Sequence, residues 1–238
     1  MLLNRLALTL ALVNVLAASV SRAEVGVQWD VTFPQSVVDY SAVTGVVADP
    51  GGGAAVLGPS APDPITGATS PVVFKIGADG AFLWSRIVMP GTTMFDQADA
   101  GAIDNLGNLY VAANVDTTWN GKTVLMKYSV DGLDGWPSPI VIDGPVPGYN
   151  DYPRGIATDG ERVWVVMASY GPKTGWDYLT HCYDANGVLL WKRRLSSQKA
   201  VNSLHEPAGI VVLPAGKAWV TGKVASANGK SDIATIVY

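Results

Sequence analysis

The chain is poor in the residues that most enzymes and small metal-binding modules use for chemistry. It has one cysteine and two histidines in 238 residues, which excludes an intramolecular disulfide framework and a cysteine-rich zinc module. Charged residues make up 15% of the chain, well below the roughly 25% of an average soluble protein. Acidic residues exceed basic ones, so the net charge is −4, whereas a nucleic-acid-binding protein needs a basic footprint.

Apolar and turn-forming residues are abundant instead. Hydrophobic residues make up 48% of the chain, which also contains 26 glycines, 15 prolines and 8 tryptophans. This apolar content is enough for a packed core and is unlike that of a disordered protein. Because glycine and proline mark tight turns, the composition predicts an all-β protein in which many short strands are joined by such turns.

The first 23 residues have the features of a secretory signal peptide. Arg5 precedes an apolar run from Leu6 to Val20, and Ser21 and Ala23 are small residues suited to cleavage after Ala23. The run of about 15 residues is shorter than the roughly 20 that a membrane-spanning helix needs. We therefore expect a secreted or periplasmic protein whose residues 24–238 form one domain, without membrane insertion after cleavage.

The remainder of the chain repeats about every 54 residues. Three sets of residues recur at nearly this interval: Trp29, Trp84, Trp136 and Trp191; Gly45, Gly101, Gly155 and Gly209; and Val56, Val111, Val165 and Val220. Each repeat contains β-prone runs that are separated by turns rich in Gly, Asn and Asp. Four short strands in a repeat of this length are typical of one β-propeller blade, which needs neighbouring blades to bury its faces.

The two ends of the chain predict how the ring of blades closes. The fourth repeat ends at Tyr238 without its Trp-bearing last strand, and a strand of that kind stands at residues 25–31. An N-terminal strand that completes the last blade removes the need for capping repeats. The predicted fold is a β-propeller of four four-stranded blades, closed by this strand. An open half-ring that pairs with a second copy to form eight blades is the alternative.

Several stretches resemble the β-propeller repeat of secreted bacterial proteins (the SBBP type). They are residues 149–160, Trp176-Asp177-Tyr178 with 183–191, 103–111, and 232–238. Residues 184–191, which run from an Asp to Leu-Trp, are also similar to propeller repeats of the pyrroloquinoline-quinone type, although no cofactor pocket is recognisable and no cofactor is expected. The resemblance covers the mature chain but consists of turn and core residues, so it implies a fold and not an activity.

Aromatic residues in loops form the first candidate site. The tryptophans that follow the repeat are expected to pack between adjacent blades, with sugar stacking as the alternative. Trp119 and Trp176 depart from that spacing and lie in loops between the second and third strands of their repeats, and Tyr170 is close to Trp176 in sequence. Exposed loop tryptophans commonly belong to contact surfaces. Trp119, Trp176 and Tyr170 are therefore the candidate ligand-binding residues.

Carboxylates that precede the first strand of each repeat form the second candidate site. They are Asp39, Asp96, Asp151 and Glu206. Since first strands line the central channel of a propeller, these side chains are expected around one mouth of the channel. Converging carboxylate oxygens suit Ca²⁺, which is the one metal the sequence suggests. The alternative is that each carboxylate caps a turn by accepting hydrogen bonds from backbone N–H groups.

The remaining reactive side chains give little support to catalysis. His181 and Cys182 are neighbours on one predicted strand, so their side chains point to opposite faces and cannot form a nucleophilic pair. His205, beside Glu206 near the predicted channel mouth, is the one candidate general base. The chain has no nucleophile elbow, phosphate-binding loop or zinc-protease motif. No catalytic residue is assigned.

Together these features predict a non-catalytic binding or interaction module. We expect its ligand, a protein or a carbohydrate, to be bound by loops on one face of the propeller, and we expect no nucleic acid partner. Two alternatives stay open. One is a metal-assisted hydrolase or lyase that uses the acidic channel mouth, and the other is a structural component of a cell-envelope assembly.

Overall fold

The described part of the chain consists of β-strands joined by turns and loops. A computed structural model describes residues 42–88, 96–116, 121–196, 203–213, 216–226 and 230–238. Within these ranges the chain forms strands β1 to β16 and no helix. The same ranges accordingly contain no helix long and apolar enough to cross a membrane. The predicted all-β class is confirmed.

The strands form four sheets in chain order, each a meander of antiparallel neighbours. The first sheet contains β1 (Gly45–Ala48), β2 (Ala54–Pro59), β3 (Pro71–Ile76) and β4 (Phe82–Ile87), and the second contains β5 (Gln97–Ile103), β6 (Leu109–Asp116), β7 (Gly121–Tyr128) and β8 (Ile140–Ile142). The third contains β9 (Asp151–Thr158), β10 (Arg162–Gly171), β11 (Gly175–Asp184) and β12 (Leu189–Leu195), with the short β13 (Ser203–Leu204) parallel to β11. The fourth contains β14 (Glu206–Val212), β15 (Ala218–Ala225) and β16 (Ser231–Val237).

Aspartate and glycine residues fix the tight turns within the sheets. In the turn between β5 and β6, the Asp104 carboxylate accepts hydrogen bonds from the backbone N–H groups of Leu106 and Asn108, both at 2.9 Å. Gly107 in the same turn has a φ of 80°, a conformation that glycine adopts without steric cost. These local bonds explain why Asp and Gly recur in the turns of the repeat.

The hydrophobic core lies in layers between neighbouring sheets. The layer between the first and second sheets includes Leu57, Val73, Leu109, Val111 and Met126. The layer between the second and third sheets includes Tyr110, Leu125, Ile156, Val165 and Leu179. Smaller clusters around Trp164, Cys182 and Tyr178 join the third sheet to the fourth. Each sheet therefore depends on its neighbours for burial, as expected for stacked repeats.

Two of the repeating tryptophans join adjacent sheets, as expected from the sequence. The Trp84 indole N–H donates a hydrogen bond to the Val130 carbonyl of the second sheet at 2.8 Å. The Trp136 indole N–H makes the equivalent bond to the Ala185 carbonyl of the third sheet at 3.0 Å. A Cβ on Gly132 would lie 2.6 Å from the Trp84 ring, so the turn passes directly over the indole.

Residues from the first strands of the four sheets line one common cavity, which we call the central cavity. The cavity has a volume of about 270 Å³ and is lined by residues of β1, β5, β9 and β14, with Leu57 of β2. Gly45, Gly155 and Gly209 are among the lining residues, together with Ala100 and Gly101. Small residues therefore recur where the first strands line this cavity.

The strand registers correct the alignment of the glycines in the second repeat. Gly101 pairs with Val111, but the equivalent valines of the third and fourth repeats pair with Ile156 and Ile210. The counterpart of Gly155 and Gly209 is thus Ala100. β-Bulges, which insert one residue into a strand, precede these positions at Asp99, Arg154 and Ala208. Each bulge lies directly before Ala100, Gly155 or Gly209, so Gly101 is one residue further along its strand than the glycines of the third and fourth repeats.

The described residues do not show whether the first and fourth sheets meet to close a ring. In the described ranges the first and fourth sheets make no contact comparable to that between neighbouring sheets. The fourth sheet leaves Val211, Trp219 and Val237 exposed. Residues 1–41, which contain the predicted signal peptide, Trp29 and the closing strand, lie outside the described residues, so these features stay predictions.

Candidate binding surface and central cavity

Four aromatic side chains meet near the end of the third sheet where β10 turns into β11. Tyr170 and Trp176 are paired residues of these two strands, and their rings lie edge to face with centroids 5.8 Å apart. Tyr149 stacks on Tyr170 at 4.3 Å with an interplanar angle of 9°. Tyr152 stacks beside Trp176 at 5.6 Å and 19°. We call these four residues the aromatic cluster.

The aromatic cluster is accessible and held in place. Tyr149 is 48% exposed, and the other three rings are partly exposed. The Asn150 side-chain amide donates a hydrogen bond to the Tyr152 hydroxyl at 2.6 Å, and its carbonyl oxygen accepts one from the Gly121 N–H at 2.6 Å. These bonds hold the segment that carries Tyr149 and Tyr152 against the second sheet. The positions of these two rings therefore do not depend on stacking alone.

The sequence predicted part of this surface. Trp176 and Tyr170 were expected to act together, and the structure brings their rings into contact. The predicted loop position of Trp176 is wrong, because Trp176 lies in β11 and pairs with Tyr170 of β10. Trp119 lies outside the described residues. Tyr149 and Tyr152 were missed as candidate binding residues, because the stretch 149–152 was interpreted only as part of the repeat. The role of Trp176 and Tyr170 in ligand binding stays a prediction.

Charged residues lead from the aromatic cluster into the central cavity. Arg154 lines the cavity, and its guanidinium carbon lies 5.8 Å from the centroid of the Tyr152 ring. Its Nη2 atom is 3.8 Å from Oε1 of Glu206. Asp99, at the equivalent bulge of β5, lines the same cavity. Burial raises the pKa of Asp99 above its usual value, although hydrogen-bond donors and the charge of Arg154 act in the opposite direction.

The four predicted carboxylates do not occupy equivalent positions. Asp96 and Asp151 stand three residues before the bulges of β5 and β9, and His205 holds that position before the bulge of β14. Glu206 is one residue further along, where its partly exposed side chain pairs with Arg154. The fourth, Asp39, lies outside the described residues.

Asp96 and Asp151 are buried and accept hydrogen bonds from the backbone. An Asp96 carboxylate oxygen accepts a bond from the Asp116 N–H at 2.5 Å, and one of Asp151 accepts a bond from the Gly144 N–H at 2.6 Å. Burial raises the pKa of Asp151. Among the described residues no three His, Cys, Asp or Glu side chains are grouped as metal ligands. Both carboxylates thus bind backbone N–H groups, as the alternative to metal binding expected, but the donors are 20 and seven residues away in sequence and do not belong to a local turn.

A calcium titration separates capping from metal binding. Because Asp96 and Asp151 direct oxygens at backbone N–H groups, we expect Ca²⁺ and a chelator to leave the unfolding midpoint of the protein unchanged. An Asp151→Asn variant keeps an oxygen that can accept the Gly144 bond, so it should fold. The raised pKa of Asp151 means that ionising it opposes folding, so asparagine should stabilise the fold slightly at neutral pH. A Ca²⁺-dependent rise in the midpoint that this variant abolishes would instead establish a calcium site.

His205 is turned away from the central cavity. It is 4% exposed, and its backbone N–H donates a bond to the Trp176 carbonyl at 2.9 Å. Its Nδ1 atom accepts a bond from the Ala225 N–H at 3.3 Å, which places the ring between the third and fourth sheets. Burial lowers the pKa of His205, and Asp177 acts in the opposite direction. His205 therefore does not lie at the cavity, near whose mouth the sequence had placed it as a candidate base.

Comparisons with known proteins find several solved structures that are similar to this chain. No protein-family model and no curated protein matches it. An endo-arabinase from Bacteroides thetaiotaomicron is 10% identical, with a TM-score of 0.48 over 87% of this chain and 78% of the other. An α-L-arabinofuranosidase from Podospora anserina, in complex with cellotriose, is 11% identical, with a TM-score of 0.39 over 87% and 66%. A glucose dehydrogenase is 10% identical, with a TM-score of 0.38 over 84% and 83%. Similarity at these levels assigns neither a family nor an activity.

Proposed function

We propose that the protein is a non-catalytic β-propeller module that binds carbohydrate through the aromatic cluster. The observation that carries this proposal is the group of four accessible rings at one end of the third sheet. The apolar C–H face of a sugar ring packs on the face of an aromatic ring, which offers a large hydrophobic surface with a polar edge. Tyr149, the most exposed of the four, offers such a face to solvent.

Polar side chains beside the aromatic cluster suit the hydroxyl groups of a sugar. The side chains of Arg154 and Glu206 are 42% and 40% exposed, and Arg154 lies next to the Tyr152 ring. The guanidinium group donates hydrogen bonds and the carboxylate accepts them. Because the rings are already stacked on one another, little side-chain freedom is lost when a ligand binds.

We place this module in a closed propeller of four four-stranded blades that is exported after cleavage behind Ala23. The fourth sheet has three strands in the described ranges, whereas each of the others has four antiparallel strands, and residues 25–31 are suited to supply the missing one. The resemblance to repeats of secreted bacterial propellers supports both the fold and the export. An extracellular or periplasmic location would bring the aromatic cluster to envelope or environmental polysaccharides.

The proposal predicts a strong effect of replacing Trp176 with alanine. A central aromatic residue of a binding surface contributes about 2 kcal/mol or more, so we expect at least a roughly tenfold loss of affinity. Affinity electrophoresis against a panel of neutral and acidic polysaccharides would first identify the ligand. Titration calorimetry with the best oligosaccharide would then measure the affinity of the mature protein and of Trp176→Ala.

Trp219→Ala is the matched control. Trp219 is 42% exposed on the fourth sheet and does not belong to the aromatic cluster, so its loss should leave carbohydrate binding unchanged. Circular dichroism should show that both variants fold. Equal losses of affinity in the two variants, or no binding of the wild-type protein to any polysaccharide in the panel, would contradict the proposal.

A further inference from the structure

A second cavity lies at the outer part of the interface between the second and third sheets. It has a volume of about 350 Å³ and is lined by residues 143–145, Leu179, His181 and residues 192–194. We propose that this cavity binds a small oxyanion, a carboxylate or phosphate group, held by His181 and Lys192. None of its lining residues belongs to the aromatic cluster, so the inference does not rest on the proposed carbohydrate binding.

The cavity arises because the outer strands of the two sheets differ in length. β8 has three residues and pairs only with the segment Thr123–Leu125 of β7. β12 has seven residues and follows β11 from Tyr183 back to Tyr178. After β8 the chain is drawn towards β9 by the hydrogen bond from the Gly144 N–H to Asp151. The face of β12 that carries Lys192 is consequently left uncovered.

His181 lines this cavity and carries a buried ring nitrogen that has no hydrogen-bond partner among the described residues. The residue is 7% exposed, its Nδ1 atom lies 2.9 Å from the Tyr183 hydroxyl, and its Nε2 atom has no hydrogen-bond partner among the described residues. Burial, with the nearby charge of Lys192, lowers the pKa of His181 to about 4, so the ring is neutral at physiological pH. If Tyr183 donates its hydrogen to Nδ1, then Nε2 carries the ring hydrogen and is available as a donor.

The surroundings of the cavity favour an anion. Arg194 is held by the buried Asp177, whose carboxylate lies 2.7 Å from Nη2. Asp143 on the opposite wall pairs with Lys122 at 2.9 Å. Each of these two carboxylates is therefore paired with a cation. Asp151, which accepts the Gly144 N–H bond beside the cavity, adds one further carboxylate. Lys192 and Arg193 both line the cavity and have no carboxylate partner in the described part of the chain. A local excess of positive charge in a chain of net charge −4 attracts anionic ligands.

The register of β11 and β12 lets His181 and Lys192 act on one ligand. The two residues are direct cross-strand partners, so their side chains leave the sheet on the same face about 5 Å apart. An oxyanion placed between them accepts one hydrogen bond from the imidazole N–H and one from the ammonium group. Charge-assisted bonds of this kind are short and strong. A volume of about 350 Å³ leaves room for a ligand body beside Leu179.

The two histidines of the chain provide a direct test. Long-range ¹H–¹⁵N spectra of the mature protein resolve both imidazoles, so His181 reports on the cavity and His205 serves as an internal reference. Titration with inorganic phosphate and, separately, with glucuronate should shift the His181 Nε2 signal saturably, while the His205 signal stays in place. Saturation by either probe supports the site and identifies which oxyanion it takes. Glucose is the neutral control for glucuronate and should cause no shift.

Variants that lose one positive charge test whether Lys192 is the second side chain that holds the oxyanion. Lys192→Gln should weaken binding of the saturating probe at least about tenfold, because a charge-assisted hydrogen bond is lost. Lys223→Gln removes the same charge from an exposed position of the fourth sheet and should leave binding unchanged. The proposal is overturned if neither probe gives a saturable shift, if sodium chloride reproduces the shift, or if the two variants weaken binding equally.

Discussion

Replacing Trp136 with alanine is expected to lower the free energy of unfolding by about 3–5 kcal/mol, the range typical of large aromatic truncations in a core. Trp136 is 3% exposed, and its ring packs near Tyr110 with centroids 5.9 Å apart. Its indole N–H also bonds to the Ala185 carbonyl in the next sheet. The substitution therefore removes a packing contact and a hydrogen bond that together join the second and third sheets.

The repeat supplies a matched control for this effect. Trp191 recurs at the same point of the third repeat, but it is only partly buried against Tyr238. No hydrogen bond to its indole N–H is found in the described residues. Trp191→Ala should therefore lower the stability much less than Trp136→Ala. Urea unfolding of both variants, followed by circular dichroism, measures the difference, and equal losses would show that the tryptophans do not act by joining adjacent sheets.

The turns and the packing tryptophans were predictable from the sequence because each depends on local or periodic chemistry. Asp104 and Gly107 fix their hairpin through bonds within five residues, so they can be recognised without the rest of the fold. The alternation of strands and turns was visible for the same reason. Trp84 and Trp136 could be assigned to contacts between neighbouring sheets because they recur at the repeat interval. Residues at this interval occupy equivalent positions when the repeats stack.

The bulges were not predictable, although they give the register by which the predicted carboxylates must be compared. The sequence grouped Asp96, Asp151 and Glu206 because each precedes a repeating glycine, at distances that fall from five residues to four and three. Counted from the bulge, which all three repeats share, the position of Asp96 and Asp151 is held by His205 in the fourth repeat. Arg154 and Asp99 were overlooked because a charged residue at a bulge, beside a small residue in sequence, gives no sign that it lines a cavity.

The third sheet differs from the others in ways that bear on function. Its strands β10 and β11 each have ten residues, whereas the equivalent strands have six in the first sheet and eight in the second. The added length carries Tyr170 and Trp176. His181 of β11 lies at a regular position, since it pairs with Val165 as Met126 pairs with Val111, and the second cavity beside it follows from the short β8 of the second sheet. Both proposed sites therefore arise where strand lengths depart from the common pattern of the repeat.

Replacing Asp49 with alanine is expected to destabilise the fold by about 3–5 kcal/mol, as when one partner of a buried ion pair is removed. The ammonium group of Lys75 pairs with the Asp49 carboxylate, and the Lys75 side chain is 1% exposed. Without Asp49 the lysine is left as an uncompensated buried charge between Ala55 and Trp84 of the neighbouring strands.

The ion pair also predicts a dependence of stability on pH. Burial opposes the ionisation of Asp49, but the Lys75 ammonium and the Gly51 N–H outweigh it and lower the pKa of Asp49 below its usual 3.8. A group whose pKa is lower in the folded state contributes stability that is complete above the unfolded value and is lost as pH falls through the folded value. The gap in stability between wild type and Asp49→Ala should therefore be constant near neutral pH and should narrow below pH 3.8.

A double-mutant cycle separates the ion pair from the loss of a turn residue. Lys75→Met replaces the buried ammonium by an apolar chain of similar length, so Asp49→Ala should destabilise this background much less than the wild type. Asp232→Ala removes an exposed carboxylate from β16 and should change stability little at any pH. If Asp49→Ala is equally destabilising in both backgrounds, Asp49 acts only through its turn, where it accepts the Gly51 N–H bond at 2.8 Å. The first sheet would then hold a buried lysine whose charge is balanced by another group.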